Sequence, residues 1–357
     1  MAITIRWDIT KNCNLHCKHC SAYEDMNNSN NSQLALQDII SIMQKFSGEK
    51  INLIKLLGGE PLLRNDLNKI IIEANVLNIP IGFTTNGTVP FGKDIQELII
   101  ANKLRYITFS LDSENDSINA TLRSPNTVKG IKDNIKYVSE LKQKHQLPLK
   151  IAINCVINKN NFLDINNLLD FAIQNYIDKI SFSNLVPRGR AKHLDSLIVT
   201  SSQLIQTALI IANHFKNNNE LISIEPSFAP ALLADYIRVK YDMEFPEITY
   251  RCRASTELCY IDEIGRLYPC ESIISKYPIS KNSLLEYSFR DIWNSEEFNK
   301  VFQEVEYGVE YSSELCKSCK YRFKTCYPCV NWSMKPQICE QIKQEIPNIF
   351  EVNKNAY

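Results

Sequence analysis

The feature that most constrains the fold is an alternation of short β-branched or aromatic runs with longer segments of helical period between residues 3 and 217. Each run predicts a strand and each following segment predicts a helix. Six strands are predicted in this way: 3–10, 51–58, 79–86, 106–112, 149–157 and 179–187. The alternation predicts an α/β fold whose parallel sheet curls into a partial (β/α)6 TIM-like barrel, with its site at the carboxyl ends of the strands.

The composition excludes several classes of protein. The 357 residues are 44% hydrophobic, which is enough for a large core and two domains, and Lys+Arg and Asp+Glu number 40 each. This balance does not favour a nucleic acid or an anionic membrane as a partner. The sequence shows neither the basic and apolar regions of a signal peptide nor a run of about 18 apolar residues. We therefore expect a cytoplasmic protein that binds neither nucleic acid nor membrane.

The polar segment 215–220 predicts a boundary between a first domain, 1–217, and a linker with a second domain, 218–357. The twelve cysteines lie mostly at the two ends of the chain. In a reducing compartment, so many cysteines are more easily explained by metal ligation than by disulfides. The lone Cys155 in the middle is predicted to be a small buried hydrophobic residue.

Three cysteines, Cys13, Cys17 and Cys20, follow the first predicted strand in the segment CNLHCKHC. Structural zinc takes four ligands, so zinc would require His16 or His19 as the fourth. Both histidines lie inside the cysteine loop, where the geometry for reaching the same ion is poor. A 4Fe-4S cluster held by three thiolates leaves one iron open to an exogenous molecule. The pattern favours such a cluster over zinc.

The cysteine motif CxxxCxxC, followed by GGEP (58–61) and SLD (110–112), resembles the motifs of the radical S-adenosylmethionine (radical SAM) superfamily over about residues 3–217. The resemblance implies an enzyme whose open iron binds S-adenosylmethionine (SAM). The reduced cluster would cleave SAM to a 5′-deoxyadenosyl radical, which abstracts hydrogen from the substrate. It also implies an electron donor such as flavodoxin or ferredoxin.

The same resemblance implies a set of SAM-binding residues: Gly58, Gly59, Glu60, Ser110, Asp112, Arg123, Asn154 and Val186. The two glycines would let the backbone approach the ligand, and Glu60 would accept the SAM ammonium group. Arg123 would pair with the SAM carboxylate. Taken alone, GGEP is also consistent with a turn, Arg123 with a solvated surface residue and Asn154 with a strand edge.

The eight cysteines from Cys252 onward fit either two zinc ribbons or two fully ligated 4Fe-4S clusters. The segments CYIDEIGRLYPCES (259–272) and CKSCKYRFKTCYPC (316–329) resemble the SPASM extension of radical SAM enzymes. That extension implies a hairpin near Gly265, short helices and two auxiliary clusters, so that the chain would hold three 4Fe-4S clusters. By this resemblance, the first auxiliary cluster has the ligands Cys252, Cys259, Cys270 and Cys329. The second has Cys316, Cys319, Cys326 and Cys339.

Glu271 follows Cys270 at a position where a sulfatase-maturating enzyme carries an acidic general base, although a solvated surface glutamate is the plainer interpretation. The resemblance to peptide maturases and anaerobic sulfatase-maturating enzymes makes a ribosomally synthesised peptide the first expected substrate. Alternatives are an anaerobic dehydrogenase of a small alcohol or amino sugar and sulfatase-type protein oxidation. A non-catalytic iron-sulfur or zinc-binding module is the remote alternative.

Delivery of a peptide substrate poses a separate question. Twelve residues precede Cys13, and these are too few to form a domain that binds a leader peptide by strand addition. We therefore expect either a separate leader-recognition protein or a peptide that binds directly in the barrel mouth.

Overall fold

The computed structural model describes residues 2–20, 33–218, 221–246, 248, 253–271, 279–300, 314–317, 319–321, 326, 335–347 and 349. Its strands are β1 Ile3–Asp8, β2 Ile51–Leu57, β3 Ile81–Thr85, β4 Tyr106–Ser110, β5 Lys150–Ile157, β6 Lys179–Asn184, β7 Ser223–Pro226, β8 Leu258–Ile261 and β9 Leu267–Tyr268. Its α-helices are α1 Leu36–Gln44, α2 Leu67–Val76, α3 Lys93–Ile100, α4 Asp116–Asn119, α5 Val128–His145, α6 Ile165–Gln174, α7 Ser201–Asn218, α8 Ala231–Tyr241, α9 Phe289–Trp293, α10 Glu314–Lys317 and α11 Lys335–Glu345. Short 3-10 helices span Pro61–Leu63, Gly189–His193 and Asp195–Leu197.

The strands form one sheet in the order β7-β6-β5-β4-β3-β2-β1-β8-β9. Neighbouring strands from β7 to β8 are parallel, and β8 and β9 form an antiparallel hairpin. The order begins at β7 and ends at β9, so the sheet is open. The predicted α/β class with a partial barrel is confirmed, as is the hairpin near Gly265.

All six predicted strands are present, and each is one to three residues shorter than predicted. Most of the difference lies at the carboxyl ends. The first strand ends at Asp8 and the sixth at Asn184, because the residues that follow leave the sheet and form the loops above it. These are the loops in which the sequence motifs lie.

Two strands join the barrel sheet beyond the six that were predicted for it. β7 pairs with β6, and β8 pairs in parallel with β1 on the other side. Both are four residues long, which is too short to show a clear hydrophobic period. The sheet thus continues past residue 217, and the division of the chain into 1–217 and 218–357 stays a prediction.

The main core lies between the sheet and its helices. Trp7 of β1 is fully buried and packs edge-on against Phe46, which follows α1, with 6.3 Å between the ring centroids. Phe46 packs in the same manner against Phe289 of α9, at 5.4 Å. Alternate residues of β1, among them Arg6 and Asp8, lie on the other face of the sheet, toward the inside of the curled barrel.

Polar contacts hold the C-terminal region to the first half of the chain. Lys45 donates to the backbone carbonyl oxygens of Leu284 and Tyr287, at 2.5 and 3.1 Å. Arg290 of α9 forms two hydrogen bonds with the Glu49 carboxylate, at 2.6 and 3.0 Å.

Within the described ranges, none of the helices has the length and apolar character required to cross a membrane.

Candidate functional site

The three N-terminal cysteines lie in the loop between β1 and α1 and open onto one cavity of about 160 Å³. All three are half-buried. The backbone N–H of Leu15 donates to the Cys13 sulfur at 3.4 Å, and the Asn86 amide lies 3.9 Å from it. The cavity is also lined by residues from the ends of β2, β3 and β4 and from the loop after β4: Leu57, Gly58, Gly59, Thr84, Thr85, Asn86, Ser110 and Arg123.

The donor set fits a cluster better than a single ion. Among the described residues, no group of three or more His, Cys, Asp or Glu side chains converges closely enough to hold one metal ion. The ligands of one zinc ion must all lie around a single point. In a cubane cluster each thiolate binds a different iron, so the thiolates lie further apart around a shared cavity. Three thiols around one cavity match the second arrangement.

The two histidines of this loop differ in their surroundings. His19 lines the same cavity, and its Nδ1 lies 3.3 Å from the carbonyl oxygen of Leu122. Burial and the neighbouring Arg123 lower the pKa of His19 to about 4, so that its ring is neutral. His16 is exposed on the outer side of the loop. Neither completes a single-ion site with the three thiols in the described part of the chain.

Gly58 and Gly59 allow a close contact within the protein itself. A Cβ on Gly58 would lie 2.3 Å from the carbonyl oxygen of Thr10, and one on Gly59 would lie 2.1 Å from that of Asn12. The amides of Gly59 and Glu60 donate to these two carbonyl oxygens at 2.7 Å. The glycines therefore allow the cysteine loop to pack directly on the end of β2. They also line the cavity, so approach to a ligand stays a prediction.

Glu60 is fully buried, and its carboxylate is occupied within the protein. One oxygen accepts from the Thr85 hydroxyl at 2.8 Å and from the Leu62 amide at 3.1 Å, and the other accepts from the Asn86 amide at 2.7 Å. Burial raises its pKa although these donors oppose the rise. Glu60 thus joins the end of β2 to the turn after β3. Its role as acceptor for the SAM ammonium group stays a prediction.

Arg123 is buried beside Asp112 instead of lying on a solvated surface. Its Nε is 2.7 Å from one Asp112 oxygen, and its Nη2 donates to the other at 3.0 Å. Burial lowers the pKa of Arg123, while Asp112, Cys17 and Cys155 together raise it, so the net shift is upward and the guanidinium stays charged. These two contacts with Asp112 use only part of the guanidinium group. Further N–H groups of Arg123 remain for the cavity that this residue lines.

Asn154 and Val186 lie away from the described lining of this cavity. Asn154 is half-buried on β5 and pairs with Ser110 of β4 across the sheet, and Val186 follows β6. Their predicted contacts with SAM remain predictions. Asn86 and Arg190 are among the cavity-lining residues that the sequence analysis did not single out. The sequence contains a signal for both residues, namely polar segments at strand ends. Asn86 lies in TTNG (84–87) at the end of the third strand, and Arg190 lies in NLVPRGR (184–190) at the end of the sixth.

The C-terminal cysteines are only partly described. Cys252 and Cys329 lie outside the described residues. Cys316, Cys319, Cys326 and Cys339 are half-buried. Cys259 is fully buried on β8 opposite Ile5 of β1, so that it faces the helices, and burial raises its pKa. Cys155 is also fully buried, as predicted, and burial raises its pKa well above the usual value.

Glu271 is not a solvated surface residue. Its carboxylate forms an ion pair with Arg6 of β1, and its backbone carbonyl accepts from Arg188 at 2.5 Å. The adjacent Cys270 is half-buried, and the Cys270 sulfur lies 3.7 Å from a Glu271 oxygen. Arg6 faces the inside of the barrel, so this contact places Glu271 and the adjacent Cys270, a predicted ligand of the first auxiliary cluster, at the barrel interior.

A second carboxylate, that of Asp8, lies on β1, the strand that also carries Arg6. It is 5% exposed, and one of its oxygens accepts from the Tyr260 hydroxyl at 2.8 Å. Burial raises the pKa of Asp8 to about 7, with smaller contributions from Glu271 and Glu263, while Tyr260 and Arg6 oppose the rise. Asp8 was not predicted, because its partner is 252 residues away in the chain.

Two family models match the chain. The radical SAM superfamily model covers residues 7–172, and an iron-sulfur cluster-binding SPASM domain model covers residues 252–320. An AdoMet-dependent heme synthase of Methanosarcina barkeri is 23% identical over 343 residues, which are 91% of this chain and 90% of the relative. The mycofactocin maturase MftC of Mycolicibacterium smegmatis is 23% identical over 329 residues, which are 91% and 76%.

Solved structures share the fold. Streptococcus suis SuiB bound to its precursor peptide SuiA has a TM-score of 0.72 and 20% identity, and the match covers 95% of this chain and 76% of SuiB. The enzyme anSMEcpe with bound AdoMet and the Cp18Cys peptide has a TM-score of 0.69 and 15% identity, with 99% of each chain covered. The cysteine loop at the end of β1 and the cavity that it shares with the ends of β2 to β4 lie in the part of the chain, residues 7–172, that matches the radical SAM superfamily, and residues 252–320 match a SPASM iron-sulfur domain.

Proposed function

We propose that this radical SAM enzyme modifies a peptide after translation, most simply a ribosomally synthesised precursor. The observation that carries the radical chemistry is the single cavity lined by Cys13, Cys17 and Cys20 together with the glycines after β2. The peptide is supported by the relatives: MftC is a maturase, and SuiB and anSMEcpe share the fold and were solved with peptides bound.

When bound, the cluster and SAM supply a 5′-deoxyadenosyl radical that takes a hydrogen atom from the substrate. The chain's own residues hold and orient these groups. The three thiolates hold the cluster, and Ser110 and the remaining N–H groups of Arg123 face the cavity where SAM is expected. Asp112 positions Arg123 and keeps it charged, so that the guanidinium can pair with the SAM carboxylate. Gly58, Gly59 and Glu60 keep the cysteine loop in place, and Asn154 and Val186 are proposed to reach the nucleoside part.

A substrate radical that becomes an oxidised product must lose one electron and one proton. We assign the proton to Glu271 first, because its carboxylate lies beside Cys270 and contacts Arg6 at the barrel interior. Asp8 is the second candidate, since its pKa of about 7 suits both uptake and release of a proton at neutral pH. The electron is assigned to an auxiliary cluster, of which we propose two, with the eight predicted cysteine ligands of the C-terminal region.

Several partners belong to the same proposal. An electron donor such as flavodoxin or ferredoxin is proposed for the cluster that Cys13, Cys17 and Cys20 would hold. A separate leader-recognition protein is proposed for a substrate with a leader peptide, and direct binding in the barrel mouth is the alternative. The cytoplasmic location stays a prediction.

The test is anaerobic reconstitution followed by two assays. The first measures 5′-deoxyadenosine after addition of SAM and dithionite. The second measures mass changes in candidate peptides encoded near this chain, with and without small neighbouring proteins. A peptide whose mass changes in step with 5′-deoxyadenosine supports the proposal.

A second function is favoured by one comparison, since the heme synthase relative covers 91% of this chain. A porphyrin therefore belongs in the substrate panel, together with small alcohols and amino sugars. If only one of these small molecules is oxidised while every peptide is unchanged, the peptide proposal is wrong and the small-molecule alternative replaces it.

A further inference from the structure

Lys55 of β2 points into the barrel, below the cavity that the Cys13–Cys20 loop lines (the cysteine cavity). Its neighbours Ile54 and Leu56 are fully buried in the main core, and alternate residues of a strand face opposite sides of the sheet. Leu57, two residues further along and on the same face as Lys55, lines the cysteine cavity. Two residues of a strand span about 7 Å, so Lys55 lies close beneath that cavity.

Arg6, Lys55 and Lys179 are three cations that lie near one another on this inner face. Arg6 lies opposite Lys55 in the register of β1 and β2, and it forms an ion pair with Glu271. Lys179 of β6 forms an ion pair with Glu225 of β7 at 2.5 Å. Among the residues that the structure describes, no acidic side chain forms an ion pair with Lys55. Within this group, Lys55 is therefore the cation without a carboxylate of its own.

Lys55 reaches across β3 to the ring of Tyr106 on β4. Its Nζ lies 5.4 Å from the ring centroid. Gly82 of β3 stands between the two residues in the sheet, opposite Lys55 on one side and opposite Tyr106 on the other. A Cβ at position 82 would lie 2.3 Å from the Tyr106 carbonyl oxygen, so only glycine fits there. The ring holds the ammonium group by a cation–π contact, and the N–H groups of Lys55 can still donate to a ligand.

The charges around Lys55 leave room for one negative charge. Burial and repulsion by Arg6 and Lys179 lower the pKa of Lys55 to about 7, while Glu225 and Glu271 oppose the shift. Together, these three cations and two carboxylates carry one excess positive charge. Lys55 is only half-buried, so a ligand inside the barrel can reach it. A ligand with a single negative charge would balance the group and favour the charged form of Lys55.

We propose that Lys55 binds a carboxylate of the substrate inside the barrel, either an acidic side chain of the peptide or its C-terminal carboxylate. The inference rests on the proposed function, because it requires the substrate to enter the barrel beside the cysteine cavity. Lys55 donates hydrogen bonds to the carboxylate, and the positive charges of Arg6 and Lys179 add to the attraction. The carboxylate thereby selects which part of the peptide lies next to the cavity where the radical forms.

The test compares short peptides that differ only in where they carry a carboxylate. All are tripeptides acetylated at the amino end: trialanine with a free C-terminus, alanyl-glutamyl-alanine amide and the uncharged alanyl-glutaminyl-alanine amide. The reconstituted enzyme is treated with a trace of acetic anhydride, which acetylates neutral amines, with and without SAM and each peptide. Mass spectrometry then measures acetylation of Lys55 and of Lys69, an exposed lysine on α2.

We expect one or both acidic peptides to lower the acetylation of Lys55 at least about threefold, because a bound carboxylate covers the amine and keeps it protonated. The uncharged peptide should leave Lys55 as reactive as before, and acetylation of Lys69 should be the same throughout. Protection by the free C-terminus alone, or by the glutamyl peptide alone, identifies the source of the carboxylate.

Lys55→Met keeps the length of the side chain and removes its charge. The peptide that protects Lys55 should bind this variant at least about tenfold more weakly in ligand-observed NMR, because a charged hydrogen bond is lost. Lys55→Arg should retain more of the binding than Lys55→Met. Lys69→Met, the matched control, should bind like the wild type. The Tm of Lys55→Met should be no lower than that of the wild type, because an unpaired cation is removed.

Equal protection of Lys55 by the uncharged peptide, or protection by none of the peptides, would overturn the carboxylate site. Protection by SAM alone would assign Lys55 to the carboxylate of SAM and would also overturn it. These labelling results come from the wild type, so they decide the question even if Lys55→Met does not fold. Labelling requires no cleavage of SAM. A wild type that forms no 5′-deoxyadenosine with dithionite would therefore overturn the proposed function separately, while protection of Lys55 would still support carboxylate binding.

Discussion

Two carboxylates on the barrel interior, Asp8 and Glu271, lie close in space but have different surroundings. Glu271 is paired with Arg6, and Asp8 is buried and bonded to the Tyr260 hydroxyl. An ion pair favours the ionised form of a carboxyl, whereas burial favours the protonated form. Two neighbouring carboxyl groups in such different surroundings are candidates for different roles in proton transfer.

Glu271→Gln keeps the shape of the side chain and removes its ability to accept a proton. We expect 5′-deoxyadenosine formation to continue while product formation falls at least about tenfold. Both products are quantified by chromatography and mass spectrometry in the same reaction. Glu271→Asp, which keeps the carboxylate, is the control. A larger loss in Asp8→Asn than in Glu271→Gln would transfer the role of proton acceptor to Asp8.

Asp8 also predicts a dependence of stability on pH. Its pKa is raised from 3.8 to about 7 on folding, so the folded state binds more protons than the unfolded state between these values. The contribution of Asp8 to the free energy of unfolding is therefore greatest below about pH 4. It falls as the pH rises toward 7 and is constant above that. Asp8→Asn cannot ionise. It should raise the Tm by a few degrees at pH 8 and change it little at pH 4.5, in anaerobic thermal scans. A gain that is equal at both pH values would contradict the buried-carboxyl explanation.

At the scale of elements, the site depends on how the β1 loop packs on the end of β2. The carbonyl groups of Thr10 and Asn12 occupy the space where side chains at positions 58 and 59 would begin. Glu60 then joins this packed pair of loops to the turn after β3. The ends of β1, β2 and β3 are thereby held together by contacts within the protein.

Gly59→Ala should displace the cysteine loop, because the new Cβ would lie 2.1 Å from a backbone oxygen. We expect a loss of about four irons per chain, which is one cluster, and a destabilisation of about 1–3 kcal/mol. Iron analysis and chemical denaturation measure the two effects. Gly130→Ala in α5 is the matched control, since nothing lies within 4 Å of its added Cβ and alanine favours helix. Normal iron content in Gly59→Ala would show that the loop does not depend on this contact.

At the scale of the whole molecule, the C-terminal region is built onto the first strand. β8 extends the sheet beside β1, and α9 packs on the aromatic residues behind it. The strand that leads into the cysteine loop thus also binds the region that precedes Cys270 and Glu271. Cys259 and Cys270, two predicted ligands of the first auxiliary cluster, therefore lie on or next to the same sheet as the N-terminal cysteine loop.

The iron content tests the number of clusters. Reconstituted wild type should contain about twelve irons per chain if three 4Fe-4S clusters are present. Changing Cys13, Cys17 and Cys20 together to Ala should leave about eight irons and abolish 5′-deoxyadenosine formation. Cys155→Ala, in the core, should keep all of the iron. About four irons with two zinc ions would contradict the auxiliary clusters and leave the barrel site unaffected.

The sequence by itself determined the six barrel strands, the order of the motifs along them and the spacing of the thiols. These are local properties, since hydrophobic period and ligand spacing are readable within a few residues. The tertiary structure alone decided that β8 pairs with β1, that Arg6 pairs with Glu271 and that Asp8 pairs with Tyr260. It also decided that Arg123 is buried against Asp112 and that the glycines admit the cysteine loop. Most of these contacts join residues far apart in the chain, and no local period encodes which residues meet.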